Sequence, residues 1–179
     1  MRLPRFGVIS FITAYNNRMM KINIGYLISA LLLLSSSAFS QNTKQEKMAQ
    51  LSILVGEWIG ISKIYENGKV TKEVPAFEKI SYDLDSSILV VELNSKTLKL
   101  HTIIYYDEED QTYYYYPFSK RGVNRSPATF ENGKLIVRPN EERRYIFGRT
   151  PGGGFREYGE QLVDGEWIKY FQDDFKNTQ

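Results

Sequence analysis

The order of apolar and polar residues predicts strands along most of the chain. From Trp58 onward, β-branched and aromatic runs alternate with short polar turns. The Asn-Gly pairs at 67–68 and 132–133 indicate tight hairpins, because both residues of such a pair readily adopt positive φ angles. Asp164-Gly165 is a further turn signal. The predicted strands are Trp58–Tyr65, Val70–Tyr82, Ile88–Leu93, Leu98–Tyr106, Thr112–Phe118, Ala128–Phe130, Leu135–Arg138, Arg143–Arg149, Phe155–Val163 and Glu166–Phe171.

These strands predict an all-β fold. Most connections are too short to hold a crossover helix, so neighbouring strands must be antiparallel. A flat sheet of this many strands would leave exposed edges, whereas closure removes them. We therefore expect an antiparallel up-and-down β-barrel of about 8–10 strands. A two-sheet sandwich is the alternative that strand spacing does not exclude. The one predicted helix is short and covers Gln45–Val55, directly before Gly56.

The N-terminal segment, residues 1–40, has the pattern of an export signal. Lys21 precedes the mostly apolar run Ile22–Leu34, and small residues follow as far as Ser40. A charged start, an apolar middle and a small-residue end are typical of a cleavable signal peptide. We predict cleavage between Ser40 and Gln41.

Cleavage at this point leaves one domain at residues 41–179. We expect it to be exported to the periplasm or the extracellular space and not to insert in a membrane. Met19 and Met20 are alternative starts, because the residues before them lack a sustained apolar run. An uncleaved anchor is the alternative interpretation, since a helix of ~20 apolar residues crosses a bilayer. The serines before the cleavage site favour the signal peptide instead.

Charge and composition narrow the classes of partner. Four of the 23 Lys and Arg residues lie in residues 1–40, which leaves 19 against 21 acidic residues in the domain. Binding to nucleic acid requires a concentrated basic surface, so we expect no nucleic-acid partner. The chain has no cysteine, which excludes disulfides, thiolate metal sites and lipid attachment at a processed cysteine. We expect no metal site, and the oligomeric state stays open.

Aromatic residues are the candidate ligand contacts. The run of four tyrosines at 113–116 points two side chains to each face of its strand, so one pair could line a cavity. Ordinary cross-strand packing explains the same run without a ligand. A register slip of one residue would invert the choice of pair. The predicted ligand-binding residues are Trp58 at the base of the barrel, Tyr114, Tyr116 and Tyr158 along its wall, and Arg144 as a polar anchor.

The opening of the first strand carries a resemblance. Val55-Gly56-Glu57-Trp58-Ile59-Gly60 follows the predicted helix and resembles the Gly-x-Trp signature of the lipocalin and calycin superfamily. The chain looks most like the small exported lipocalin-like domains of bacteria. The resemblance implies that Trp58 fills the closed end of the barrel. It also implies a late basic residue stacked on this tryptophan, for which Arg156 and Lys169 are candidates.

A second resemblance concerns haem. The nitrobindin-like haem-binding barrels share a similar Gly-x-Trp opening and bind haem through a histidine late in the chain. The one histidine here, His101, lies in mid-chain and, by alternation, on the face opposite Leu100. Haem therefore stays only an alternative, and we expect no cofactor.

The sequence leaves three functions open. We expect first a barrel that binds a small, mostly apolar molecule without catalysis. The second is a small hydrolase or isomerase that uses a carboxylate and a tyrosine in the barrel cavity, which buried glutamates with raised pKa values would favour. The third is an interaction module whose outer tyrosines bind another exported protein or a glycan.

Overall fold

The computed structural model describes residues 43–178, and the predicted signal peptide lies outside this range. Residues 43–50 form helix α1, which continues into a 3-10 turn at Leu51–Leu54. Together they occupy the predicted helical segment. The strands that follow are β1 (Gly56–Glu66), β2 (Lys69–Asp83), β3 (Ile88–Ser95), β4 (Lys99–Asp107), β5 (Thr112–Ser119), β6 (Gly122–Val123), β7 (Ser126–Glu131), β8 (Lys134–Asn140), β9 (Arg143–Arg149), β10 (Phe155–Val163) and β11 (Glu166–Asn177).

Ten of these strands form a closed antiparallel barrel. The long strands pair with their neighbours in chain order, and β5 pairs with both β4 and β7. Pairing of β1 with β11 joins the first strand to the last. The two-residue β6 pairs with β5 and adds no member to the ring. The predicted up-and-down barrel is therefore confirmed, and the two-sheet sandwich is excluded.

The hairpin turns have the backbone that their sequences predict. Each pair combines two positive φ angles, a conformation that Asn, Asp and Gly adopt at low cost. The angles are 51° and 73° at Asn67-Gly68, 51° and 72° at Asn132-Gly133, and 51° and 83° at Asp164-Gly165. These short turns connect strands that are neighbours in the barrel.

Helix α1 and the 3-10 turn cover one end of the barrel. The Trp58 side chain is fully buried there, and its Nε1 donates a hydrogen bond of 3.0 Å to the Leu54 carbonyl. The indole packs on Phe155, with 5.5 Å between ring centroids. Met48 and Leu51 are buried in the same core. Among residues 43–178, no helix combines the length and apolarity that a bilayer crossing requires.

The basic residue stacked on Trp58 is Arg149, whose guanidinium lies 4.3 Å from the ring centroid. Arg149 also donates to the Ile53 carbonyl, which ties β9 to the 3-10 turn. The two candidates expected from the resemblance have other partners, because Arg156 bonds an aspartate and Lys169 bonds a glutamine. The geometry therefore corrects the expected basic residue to Arg149.

Strand β11 is longer than predicted, since it continues to Asn177 rather than ending at Phe171. The polar run Gln172-Asp173-Asp174 interrupts the apolar pattern, so the sequence does not predict a strand there. Asp173 nevertheless faces the barrel interior, and the added residues pair with both β1 and β10. This extension places a carboxyl group inside the molecule.

Candidate functional site

A cavity of about 500 Å³ lies inside the barrel, at the end opposite α1. Thr97 in the β3–β4 turn and Arg121 and Asn124 between β5 and β7 form its rim. Pockets for small molecules typically have volumes of roughly 300–1,000 Å³. The cavity is therefore large enough for a small molecule, and its rim is the entry.

The cavity wall is largely apolar and aromatic. Tyr115 packs near Tyr145 and Phe147, with centroid separations of 6.3 and 5.7 Å. Phe171 lies 6.1 Å from Tyr145 by the same measure. Leu93 and Leu100 contribute aliphatic surface. This wall suits the apolar body of a ligand.

The tyrosine run has the opposite facing from the one expected. Tyr113 and Tyr115 point inward, while Tyr114 and Tyr116 lie on the outer face of β5 and do not line the cavity. The hydroxyl of Tyr113 donates to the Lys47 carbonyl at 2.6 Å, so contact with α1 stabilises this facing. The sequence predicts that side chains alternate between the two faces of the strand. It does not predict which tyrosines face inward, because this depends on contacts between segments that are distant in the sequence.

The outer tyrosines pack against their neighbours on the sheet. Tyr105 lies 5.8 Å from Tyr114 and 5.9 Å from Tyr116 between ring centroids. The Arg125 guanidinium lies 3.5 Å from the Tyr114 ring centroid and forms an ion pair with Asp110. These contacts are the cross-strand packing that was the alternative explanation of the tyrosine run.

Arg144 and Tyr158 also lie outside the cavity. Arg144 Nε donates to Glu160 at 2.7 Å, and its guanidinium lies 4.1 Å from the Trp167 ring centroid. The Tyr158 ring lies beneath Lys169 Nζ. Trp58 occupies the base of the barrel as expected, but it packs in the capped end rather than on the cavity wall. None of the five predicted ligand-binding residues lines the cavity.

Three carboxyl groups occupy the barrel interior instead. They belong to Glu78 on β2, Glu157 on β10 and Asp173 on β11, and their side chains are buried. Glu157 and Asp173 are directly paired across the β10–β11 ladder and line the cavity. We call these three residues the interior acids.

Burial changes the acidity of the interior acids. It raises the pKa of Glu78 to about 8, with a further contribution from the charge of Asp173. Burial raises the pKa of Glu157 well above its usual range, and the charges of Glu78 and Asp173 add to this effect. The pKa of Asp173 is also raised by burial, although hydrogen bonds from Glu157 and Ser62 oppose the shift. Protonated Glu157 thus donates to the Asp173 carboxylate.

Tyr115 adjoins the interior acids. Burial raises the pKa of the Tyr115 hydroxyl, and the nearby charge of Glu157 raises it further. The hydroxyl therefore stays protonated near neutral pH. The cavity consequently combines an aromatic wall with hydrogen-bond donors and acceptors at its inner end.

A sequence signal for the interior acids existed. Glu78 lies on the same period-two face of β2 as Val74, Ala76 and Ile80, all of which are buried. Glu157 shares a face of β10 with buried Phe155. A glutamate on the apolar face of a strand is the pattern that predicts an interior acid. Asp173 had no such signal, because its strand was predicted to end before it.

The described residues include no clustered metal site, and their histidine lies away from the cavity. Within residues 43–178, no group of three His, Asp or Glu side chains is arranged to hold a metal ion. His101 is exposed on β4, on the face that alternation predicted. It is outside the cavity wall, so it does not supply a ligand to a group bound there.

No protein-family model matches this chain, and no curated protein matches it in sequence. Fold and site therefore define its class. It is a closed antiparallel barrel of ten strands, capped at one end, with a cavity that contains buried carboxyl groups. This architecture is consistent with a lipocalin-like barrel.

Proposed function

We propose that the protein is an exported lipocalin-like barrel that binds a small molecule with a mostly apolar body and does not transform it. The cavity of about 500 Å³ carries the proposal. Barrels of about eight strands can fill their interior with their own side chains, whereas this interior retains space. The Gly56 and Trp58 opening of β1 supports the lipocalin-like assignment.

The energetics of binding follow from the cavity wall. Each 100 Å² of apolar surface that ligand and wall remove from water contributes about 2.5 kcal/mol. Lost translational and rotational freedom offsets part of this gain. Affinity then depends on the few polar groups inside, which also orient the ligand.

The proposal is tested with a fluorescent apolar probe and a variant that fills the cavity. N-phenyl-1-naphthylamine, whose emission rises in apolar surroundings, is titrated into the purified protein. Ala76 lines the cavity, so Ala76→Trp should weaken probe binding at least about tenfold by occupying the space. Phe77→Trp is the matched control, because it places an indole on the outer face of the same strand. Equal probe affinity in Ala76→Trp and the wild type would show that the probe binds elsewhere.

A second candidate function, a small hydrolase or isomerase, is supported by the Glu157–Asp173 pair. Acid–base catalysis uses neighbouring groups whose environments push their pKa values apart. A hydrogen-bonded pair of carboxyl groups beside the Tyr115 hydroxyl fits this requirement. The protein is incubated with chromogenic esters and with enolisable ketones. Turnover that disappears in Glu157→Gln would favour the enzyme, while probe binding without turnover favours the binding protein.

A further inference from the structure

Among the described residues, no basic side chain forms an ion pair with an interior acid. The ion pairs recorded among residues 43–178 are Lys63–Glu73, Arg125–Asp110, Arg144–Glu160 and Arg156–Asp174, and none of them includes an interior acid. Arg121 contributes to the cavity rim and is exposed. A negative charge on the interior acids is therefore not neutralised by a neighbouring cation. An interior acid that ionises would therefore be a buried charge without a partner, and a positively charged occupant would stabilise it.

Two buried carboxyl oxygens of the interior acids also lack a hydrogen-bond partner within residues 43–178. Asp173 Oδ1 and Glu78 Oε2 are buried and have no partner among the described residues. The Asp173 side chain is 3% exposed and lines the cavity. An unpaired buried acceptor costs about 1–3 kcal/mol, and a positive charge close to the Asp173 carboxyl group would offset part of this cost.

The aromatic wall adds attraction for a cation. Tyr115, Tyr145 and Phe171 line the same cavity as Asp173. Aromatic faces attract an ammonium group within about 6 Å, and the interaction strengthens when water is excluded. The same rings offer apolar surface to the rest of the ligand.

From these observations we propose that the cavity binds an organic ammonium ion with an apolar body, whose ammonium group pairs with the Asp173 carboxylate. This inference rests on the proposed binding function, and it specifies the ligand class. Asp173 supplies the charge, Glu157 and Ser62 hold its carboxylate, and the aromatic wall contacts the apolar part.

Binding should depend on pH because protons compete with the ligand. The groups that face Asp173 and Glu157 are Glu78, Ser62, Tyr115 and Tyr145, with Asp174 on the adjacent outer face and Arg121 at the rim. A bound ammonium ion stabilises the ionised carboxylates, so it should displace protons. Affinity for the amine should therefore rise between about pH 5 and pH 8, where an alkylammonium group stays charged.

The test compares two probes of matched shape, 4-phenylbutylamine and 4-phenyl-1-butanol. Each displaces N-phenyl-1-naphthylamine from the full protein at pH 8. We expect the amine to bind at least about tenfold more tightly than the alcohol. Asp173→Asn should weaken amine binding much more than alcohol binding, and so remove most of this preference. Asp174→Asn, at the next position on the outer face, is the matched control and should retain the preference.

A second measurement needs no variant. Calorimetric titration of the wild-type protein in phosphate and in Tris buffer should give different apparent enthalpies for the amine, because released protons are taken up by the buffer. The alcohol should give equal enthalpies in the two buffers.

The outcomes separate the two proposals. Equal affinity for amine and alcohol, without proton release, would overturn the ammonium site and leave the apolar binding function intact. Absence of binding by the naphthylamine probe and by both matched ligands would overturn the binding function, and the ammonium site with it. A preference that persists in Asp173→Asn would also overturn the assignment of Asp173.

Discussion

Glu78 is the residue at which apolar patterning and side-chain chemistry conflict. It occupies an interior position of β2 between Ala76 and Ile80, and its side chain is 1% exposed. A carboxylate there loses its hydration, which explains why burial is the first cause of its raised pKa. The proton on Glu78 is therefore part of the folded structure near neutral pH.

This proton predicts a loss of stability as pH rises. Between the ordinary pKa of 4.5 and the folded value of about 8, the folded protein holds the proton that the unfolded chain has released. The Glu78 contribution to the free energy of unfolding therefore falls with increasing pH, by at most about 1.4 kcal/mol per pH unit. Glu78→Gln has no carboxyl proton to lose. In this variant the free energy of unfolding, measured by urea denaturation, should therefore decrease less between about pH 5 and pH 8.

The control for this prediction is Glu73→Gln on the same strand. Glu73 is exposed and forms a long ion pair with Lys63 at 3.9 Å, so this variant should keep the wild-type pH slope. Glu157 and Asp173 remain in both variants, so part of the decrease in the free energy of unfolding with rising pH should remain. Identical slopes for Glu78→Gln and the wild type would contradict the assignment.

At the scale of single elements, the local sequence predicted most strand boundaries to within two residues. Strands β9 and β10 have the predicted bounds, Arg143–Arg149 and Phe155–Val163, because strong turn signals flank them. The short β6 was not predicted, since two residues carry no periodic pattern. The extension of β11 was not predicted, because its residues are polar and are held in the strand by pairing with β1 and β10.

The 3-10 turn depends on one side chain from β9. Arg149 donates to the carbonyls of Ile53, Val55 and Gly153 and stacks on Trp58. Without these donors, the carbonyls at the turn lose their partners. Arg149→Met should therefore lower the free energy of unfolding by about 1–2 kcal/mol, measured by urea denaturation.

Arg156→Met supplies the comparison for the Arg149 variant. It removes an arginine from the neighbouring strand β10 and breaks a partly exposed ion pair with Asp174. Such pairs contribute less than about 1 kcal/mol, so the loss should be smaller. A larger loss in Arg156→Met than in Arg149→Met would show that the cap does not depend on Arg149.

At the scale of the whole molecule, the sequence predicts closure of the barrel but not the set of residues that lines the cavity. Closure followed from strand number and short connections, which are local properties. The cavity depends on which side chains from distant strands meet inside the barrel. Glu78 and Asp173 are far apart in the sequence, and no local pattern places them together. The facing of the tyrosines on β5 was mispredicted for the same reason, because Tyr113 contacts α1, which is far from it in the sequence.

The separation of the capped end from the cavity predicts where a bound ligand changes backbone protection. Hydrogen exchange is measured with and without the naphthylamine probe. Exchange should slow at Gly122 and Asn124 on the rim, where backbone pairing is sparse, and stay unchanged at α1. Slowing confined to α1 would place the probe at the capped end and contradict the cavity site.

Pairing of the first and last strands has a practical consequence for attaching the protein to a surface. The Thr178 amide donates to the Glu57 carbonyl at 3.0 Å, so the chain after β11 emerges beside the start of β1. This point is at the capped end and faces away from the rim. A biotin or affinity tag joined after Gln179 would therefore orient an immobilised layer with every entrance toward the solution, as a biosensor requires.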